Sequence, residues 1–170
     1  RFFAAAARNL EGKASGEYLE GLTSTIRREP IGVCASIAPW NYPLNMAAWK
    51  IGPALAAGNA VVLKPAEQTP ASILYLFSLI GDLLPPGVVN IVTGVTDELA
   101  RVLAAHDDVD GIWYFGSPEV SAEVERLSTG NMKRTWVDLG QERDWTDARR
   151  SAGEEFLEQA TQVKNIWIPY

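Results

Sequence analysis

Short apolar runs alternate with longer amphipathic stretches along this chain, and the alternation becomes regular from Ile31 onward. Ile31–Ala38 (IGVCASIA) is almost uniformly apolar, the pattern of a parallel strand covered on both faces. Further strands are expected at Ala60–Leu63, Val88–Val92, Gly111–Phe115 and Arg134–Asp138, and helices at Leu44–Ala57, Ala71–Leu83, Asp97–Ala105 and Pro118–Ser128. Strands that alternate with helices in this way predict right-handed crossovers and an α/β fold, an open parallel sheet with helices on both faces. The helix starts carry cap signals: Thr69 before Pro70, Thr96 before Asp97 and Glu98, and Ser117 before Pro118 and Glu119. Gly52-Pro53 predicts a bend or split in the helix that contains it.

The flanks read differently. Arg1–Leu10 is Ala-rich and helical in propensity, and Arg1 opens inside that pattern, so a longer helix is expected upstream. Tyr18–Glu29 holds two short β-prone pieces around Gly21, a hairpin or a pair of edge strands. After Gly140 comes a polar connection, QERDWTDARR. A capping-box pattern from Ser151 to Glu154 then starts a helix to about Thr161, and VKNIWIPY closes the chain as a strand.

Composition narrows the function. The 170 residues suffice for one core-bearing domain with a small appendage. A net charge of −6 argues against nucleic acid as a partner. No apolar run approaches the ~18 residues of a membrane helix. One cysteine excludes an internal disulfide or a cysteine zinc cluster, and one histidine argues against a histidine metal site. No signal peptide pattern is visible, so a cytoplasmic location is the default expectation.

The candidate chemistry gathers at strand ends. The strand Ala60–Leu63 delivers Lys64 and Glu67 at its carboxyl end, where open α/β sheets bind ligands. Asn41 lies in the turn after the preceding strand. Gly116 and Ser117 open a helix after a strand, where backbone N–H groups can hold a pyrophosphate, although the chain has no GxGxxG motif. Each residue also has a plain structural role. Asn41 can shape the turn before Pro43, Lys64 and Glu67 can be a solvated loop pair, Ser117 an ordinary cap and Gly94 a turn glycine. Cys34 sits inside an apolar strand and is expected to be a buried, inert packing residue. His106, beside Asp107 and Asp108 at a helix end, suits the helix dipole and nothing more.

Three stretches carry a resemblance. PWNYPLNMAAWKIGPALAAGNAVVLKPAEQTP (Pro39 to Pro70), LLPPGVVNIVTG (Leu83 to Gly94) and WYFGSPEV (Trp113 to Val120) together resemble the NAD-binding core of aldehyde dehydrogenases, over roughly residues 1–140. The resemblance implies a Rossmann-like domain at 31–140. It also implies a helix end and oligomerisation hairpin at 1–30, and a linker, helix and C-terminal strand at 141–170 that join the same β appendage. The tail is similar to the C-terminus of the two-module aldehyde dehydrogenases, with the catalytic domain missing between.

By resemblance, Asn41 matches the family's oxyanion-stabilising Asn, a role now vestigial. Pro39 and Trp40 of the same motif, Lys64, Glu67, Gly94, Gly116 and Ser117 match cofactor-binding positions, with Lys64 and Glu67 at the adenosine ribose. A glutamate there disfavours a 2′-phosphate, so NAD is expected rather than NADP. The chain departs from the family in three places. Phe115 stands where the FTGS turn has Thr, with Tyr114 before it. Asp138 stands where the family has its general-base Glu. Nothing matches the nucleophilic cysteine that aldehyde oxidation requires. The expectation is therefore an NAD-dependent aldehyde dehydrogenase represented by its cofactor-binding part and inactive alone, the alternative being a non-catalytic scaffold or oligomerisation module. Loss of the catalytic lobe is expected to expose apolar surface on the sheet and hairpin. Association with a second copy or with a complete aldehyde dehydrogenase module would follow.

Overall fold

The computed structural model describes residues 1–10, 13–141, 143–144, 147 and 153–170. Two sheets organise the chain. The larger is parallel, built from β3 (Val33–Ile37), β4 (Ala60–Lys64), β5 (Val89–Ile91), β6 (Gly111–Tyr114) and β7 (Arg134–Val137) in the order β5-β4-β3-β6-β7. Chain order runs outward from β3 in one direction and then restarts beside it with β6. The topological switch point, where α/β sheets open a ligand crevice, therefore lies between the carboxyl ends of β3 and β6.

Alternation along the strands sends side chains to two cores. On one face Cys34, Val61, Leu63, Trp113 and Trp136 meet α2 (Pro43–Ala56), Ile73 of α3 (Ala71–Ile80) and Phe156 of α6 (Glu154–Gln159). Phe3 of α1 (Phe2–Ala6) packs against the same core. On the other face Ala35, Ile37, Ile112 and Tyr114 meet Ala100 and Ala104 of α4 (Thr96–Ala105) and Val124 of α5 (Pro118–Leu127). The expected α/β architecture is thus present, with helices on both faces.

The smaller sheet is antiparallel, in the order β1 (Lys13–Leu19), β2 (Leu22–Pro30), β8 (Thr161–Pro169). β2 and β8 pair without a break from Leu22 opposite Pro169 to Pro30 opposite Thr161. Side chains reinforce this long-range pairing: Ser24 Oγ donates to Asn165 Oδ1 at 2.6 Å, and Lys164 Nζ meets Glu29 Oε2 at 2.6 Å.

Several local expectations are corrected. α2 runs unbroken through Gly52 and Pro53, because Pro53 is buried in the core-facing side and the surrounding packing offsets its missing donor. Thr69 does not cap α3. Pro70 holds the cap position, and Thr69 Oγ1 donates instead to the Trp40 carbonyl at 3.3 Å. Thr96 is the first residue of α4 rather than its cap, which is Val95. Ser117 does cap α5, its Oγ accepting from the Val120 amide at 3.3 Å. The last helix starts after Gly153 and ends at Gln159, and the closing strand begins at Thr161. Ser151 and most of the polar connection 141–150 lie outside the described residues.

The tail also corrects the expectation of a bare sheet face. Phe156 is fully buried against Trp136 (ring centroids 4.8 Å apart), Trp113 (6.2 Å) and Phe3 (6.4 Å), all edge-on. Over this cluster the Arg143 guanidinium stacks on Trp136 and Phe156 and forms a bidentate pair with Glu155 at 2.9 and 3.2 Å. Asn59 ties the tail down from below. Its Nδ2 donates to the carbonyls of Ala54 (3.0 Å) and Ala160 (2.8 Å), while its Oδ1 accepts from the Gly32 amide (2.9 Å). Exposed apolar side chains lie on Leu74, Tyr75, Leu79 and Leu83 of α3 and the turn after it, and, as expected of the appendage, on its strands at Tyr18, Leu19, Val163, Trp167 and Ile168. Phe156→Ala is expected to destabilise the fold by about 3–5 kcal/mol, the usual cost of emptying a buried phenylalanine site. Urea unfolding checks this, and a loss under ~1 kcal/mol would mean that α6 is not seated on the sheet.

Candidate functional site

The centre of the site is a buried cation. Lys64 ends β4 with its side chain entirely shielded from solvent. A buried ammonium is costly unless paired and hydrogen-bonded, and here two groups meet it. Its Nζ donates to Glu67 Oε2 at 2.7 Å and to Thr96 Oγ1, and the Thr96 hydroxyl donates in turn to Glu67 Oε2 at 2.6 Å. The three groups close a triangle between the loop after β4 and the first turn of α4. The Glu67 carboxyl is driven down to about 2 by the Lys64 and Thr96 hydrogen bonds, so it is ionised throughout the physiological range. One edge of the carboxylate stays open to solvent, with the side chain 36% exposed. That arrangement offers an oriented acceptor to a ligand bearing vicinal hydroxyls.

The neighbouring turn is held against this loop. The Ala38 amide donates to the Lys64 carbonyl at 2.9 Å, and the Thr69–Trp40 bond joins Pro39–Tyr42 to the loop after β4. Asn41 and Trp40 are both exposed on that turn, and Tyr42 adopts a left-handed backbone (φ 49°) to start α2. Gly94 lies in the connection from β5 to α4, where a Cβ would press to 2.9 Å on Leu99.

The carboxyl end of β6 carries the second part. Gly116 and Ser117 lead into α5, but the Gly116 donor is engaged from within the chain. The Gly116 amide donates to Asp138 Oδ1 at 3.0 Å, and the same oxygen accepts from the Gly140 amide at 3.2 Å. Asp138 thereby bridges two turns. Tyr114 is buried, and its hydroxyl lies so close to Gly116 that a Cβ there would run into it. Burial raises the Tyr114 pKa, while the Ser117 amide and hydroxyl, in polar contact with the phenol, lower it.

Cys34 is fully buried in β3, and burial, assisted by Asp110, pushes its thiol up to about 12. It is in no condition to attack a carbonyl. On the opposite face from Tyr114, Lys50 of α2 is also buried. Its Nζ has no hydrogen-bond partner and lies 3.9 Å from the centroid of Phe115, and burial lowers its pKa to about 7 against the attraction of Asp138. No group of three or more His, Cys, Asp or Glu side chains suited to a metal occurs among the described residues.

The family model for the aldehyde dehydrogenase family matches residues 1–145. The chain belongs to the aldehyde dehydrogenase family. An aldehyde dehydrogenase from Vibrio cholerae is 48% identical over 141 residues, covering 82% of this chain and 28% of the relative. Retinaldehyde dehydrogenase 3 of Mus musculus is 46% identical over 142 residues with the same coverage. Among solved structures, PnpE from Pseudomonas sp. WBC-3 superposes with a TM-score of 0.76 at 41% identity, again over 82% of this chain and 28% of that one, and PnpE is also solved in complex with nicotinamide adenine dinucleotide. The chain therefore spans little more than a quarter of the length of these aldehyde dehydrogenases.

Thr96 and Tyr114 escaped the sequence reading as site residues. Thr96 looks like a helix cap in sequence, and only the fold brings it onto Lys64 and Glu67. Tyr114 looks like a strand residue, and the one sequence signal was its departure from the family turn. The Glu67 carboxyl should titrate with a midpoint near 2 by NMR. Its ionised form favours the folded state above the ordinary carboxylate range, and that contribution fades as pH falls from about 4.5 through 2. A midpoint at the ordinary 4.5 would contradict the triangle.

Proposed function

We propose that this chain is a nicotinamide-dinucleotide-binding unit of an aldehyde dehydrogenase, holding the adenosine ribose of NAD at Glu67 and Lys64 and unable to oxidise aldehydes by itself. The observation that carries this reading is the Lys64–Glu67–Thr96 triangle at the carboxyl end of the sheet. Its carboxylate is ionised and braced by a buried cation, which fixes the acceptor before any ligand arrives and spares the ligand the cost of ordering it. The residues fit the adenosine end of a dinucleotide. A 2′-phosphate beside the same carboxylate would meet like charge, so NAD suits the site better than NADP.

In a complete aldehyde dehydrogenase, a dinucleotide held by Lys64 and Glu67 would supply the hydride acceptor for aldehyde oxidation. This chain's contribution is confined to binding and orientation. Pro39, Trp40 and Asn41 border the crevice from the β3 turn, and Gly94 lets the β5–α4 connection pass close to Leu99. Asn41, exposed on its turn, retains an amide that could stabilise an oxyanion, and Asp138 retains a carboxylate at the family's base position. Both act on nothing without a thiolate. Cys34, the sole cysteine, is sealed in the sheet.

Calorimetric titration of the folded chain with NAD should show saturable binding. Glu67→Gln should weaken it by roughly tenfold, the worth of one charge-assisted hydrogen bond. Absorbance at the NADH band should stay flat with NAD and a range of aldehydes. No heat at millimolar NAD from a folded sample would overturn the binding assignment. Sustained NADH production abolished by Cys34→Ser would overturn the inactivity.

A further inference from the structure

The two ends of the proposed cofactor crevice differ in readiness. At β4 the ribose acceptor is preformed and open on one side. At β6 the start of α5 would ordinarily offer free backbone N–H groups to a phosphate. Here the chain uses those donors itself. The Gly116 amide goes to the Asp138 carboxylate, the Val120 amide goes to Ser117 Oγ, and the Tyr114 hydroxyl lies against Gly116, the residue before Ser117. The phenol is not mobile surface decoration. Tyr114 is 6% exposed, packs in the core between β6 and the α4–α5 face, and fills the space beside Gly116 where even a methyl group would collide. A phosphate oxygen brought to this turn would have to displace a buried hydroxyl. It would also approach the Asp138 carboxylate, whose charge opposes it.

Resting on the assignment of a dinucleotide crevice, we propose that Tyr114, with Asp138, is a built-in occupant of the pyrophosphate position. The site then recognises the adenosine part of its ligand and gains little from the pyrophosphate. Tyr114 is on this account a specificity-determining residue: its hydroxyl takes the place of a phosphate oxygen beside Gly116. Replacing it with phenylalanine keeps the ring in the core, removes only the oxygen, and opens the space beside Gly116 at the start of α5.

The test compares adenosine with ADP on the wild type and on Tyr114→Phe, by calorimetry or by NMR titration, with circular dichroism to verify folding. The wild type should bind adenosine and ADP within about twofold of each other, since no phosphate contact adds to the ribose contact. Tyr114→Phe should bind ADP roughly tenfold tighter than the wild type, as expected for one recovered charge-assisted hydrogen bond, with adenosine unchanged. If the wild type already prefers ADP by tenfold, or if Tyr114→Phe leaves ADP binding where it was, the occupancy account falls while the ribose assignment stands. If neither adenosine nor ADP binds either folded protein, both fall together. The wild type alone offers the same test should the variant fold poorly. Millimolar inorganic pyrophosphate should leave the Gly116 and Ser117 amide resonances in place, and a saturable shift there would overturn the proposal.

Discussion

A lysine with no access to water, Lys64, sets the terms for the rest of this structure. Its position at the end of β4, between β3 and β5, is fixed by the sheet, and its charge must be answered locally. Glu67 and Thr96 answer it, and in doing so they lock the loop after β4 to the start of α4. The crevice beyond the strand ends is therefore defined by an electrostatic demand of the core rather than by loose loop geometry. The same demand leaves Glu67 ionised and about a third exposed to solvent, the acceptor on which the proposed ribose contact rests.

The far face of the sheet solves a different problem. Trp113 and Trp136 present large aromatic surfaces that need cover, and the chain supplies it from its own tail through Phe156 and Arg143. Asn59 and the nine-residue β2–β8 pairing then fasten the tail at its base. A segment that would otherwise be a loose extension is thus part of the core. Lys50, buried beneath the same cluster over Phe115 without a hydrogen-bond partner, is compensated by the aromatic ring and by the charge of Asp138.

Much of the fold was legible because the parallel strands announce themselves as continuous apolar runs and the helices between them have clear starts. Strands β3, β4, β6 and β7 fall within a residue or two of their expected bounds. Lys64, Glu67, Gly116 and Ser117 stand out in the sequence as candidate site residues because each falls at a strand's carboxyl end, and the fold places them there. What could not be read was everything that depends on contacts distant in sequence. Thr96 is 32 residues from Lys64, and its hydroxyl was assigned to a cap because nothing local says otherwise. The cover given by Phe156 depends on α6 meeting strands far earlier in the chain. The internal engagement of the α5 donors needs Tyr114 and Asp138 on adjacent strands, which the β6–β7 register supplies and the motif conceals.

Where a dinucleotide sits decides whether Glu67 is a ribose acceptor or only half of a structural ion pair. Isotope-labelled chain titrated with NAD should show chemical-shift changes concentrated at Lys64, Glu67 and Thr96, with intermolecular contacts from those side chains to the adenosine ribose protons. Shift changes centred on Lys50 and Asp138, or contacts from the ribose to the α3 surface with Glu67 unmoved, would contradict the ribose assignment.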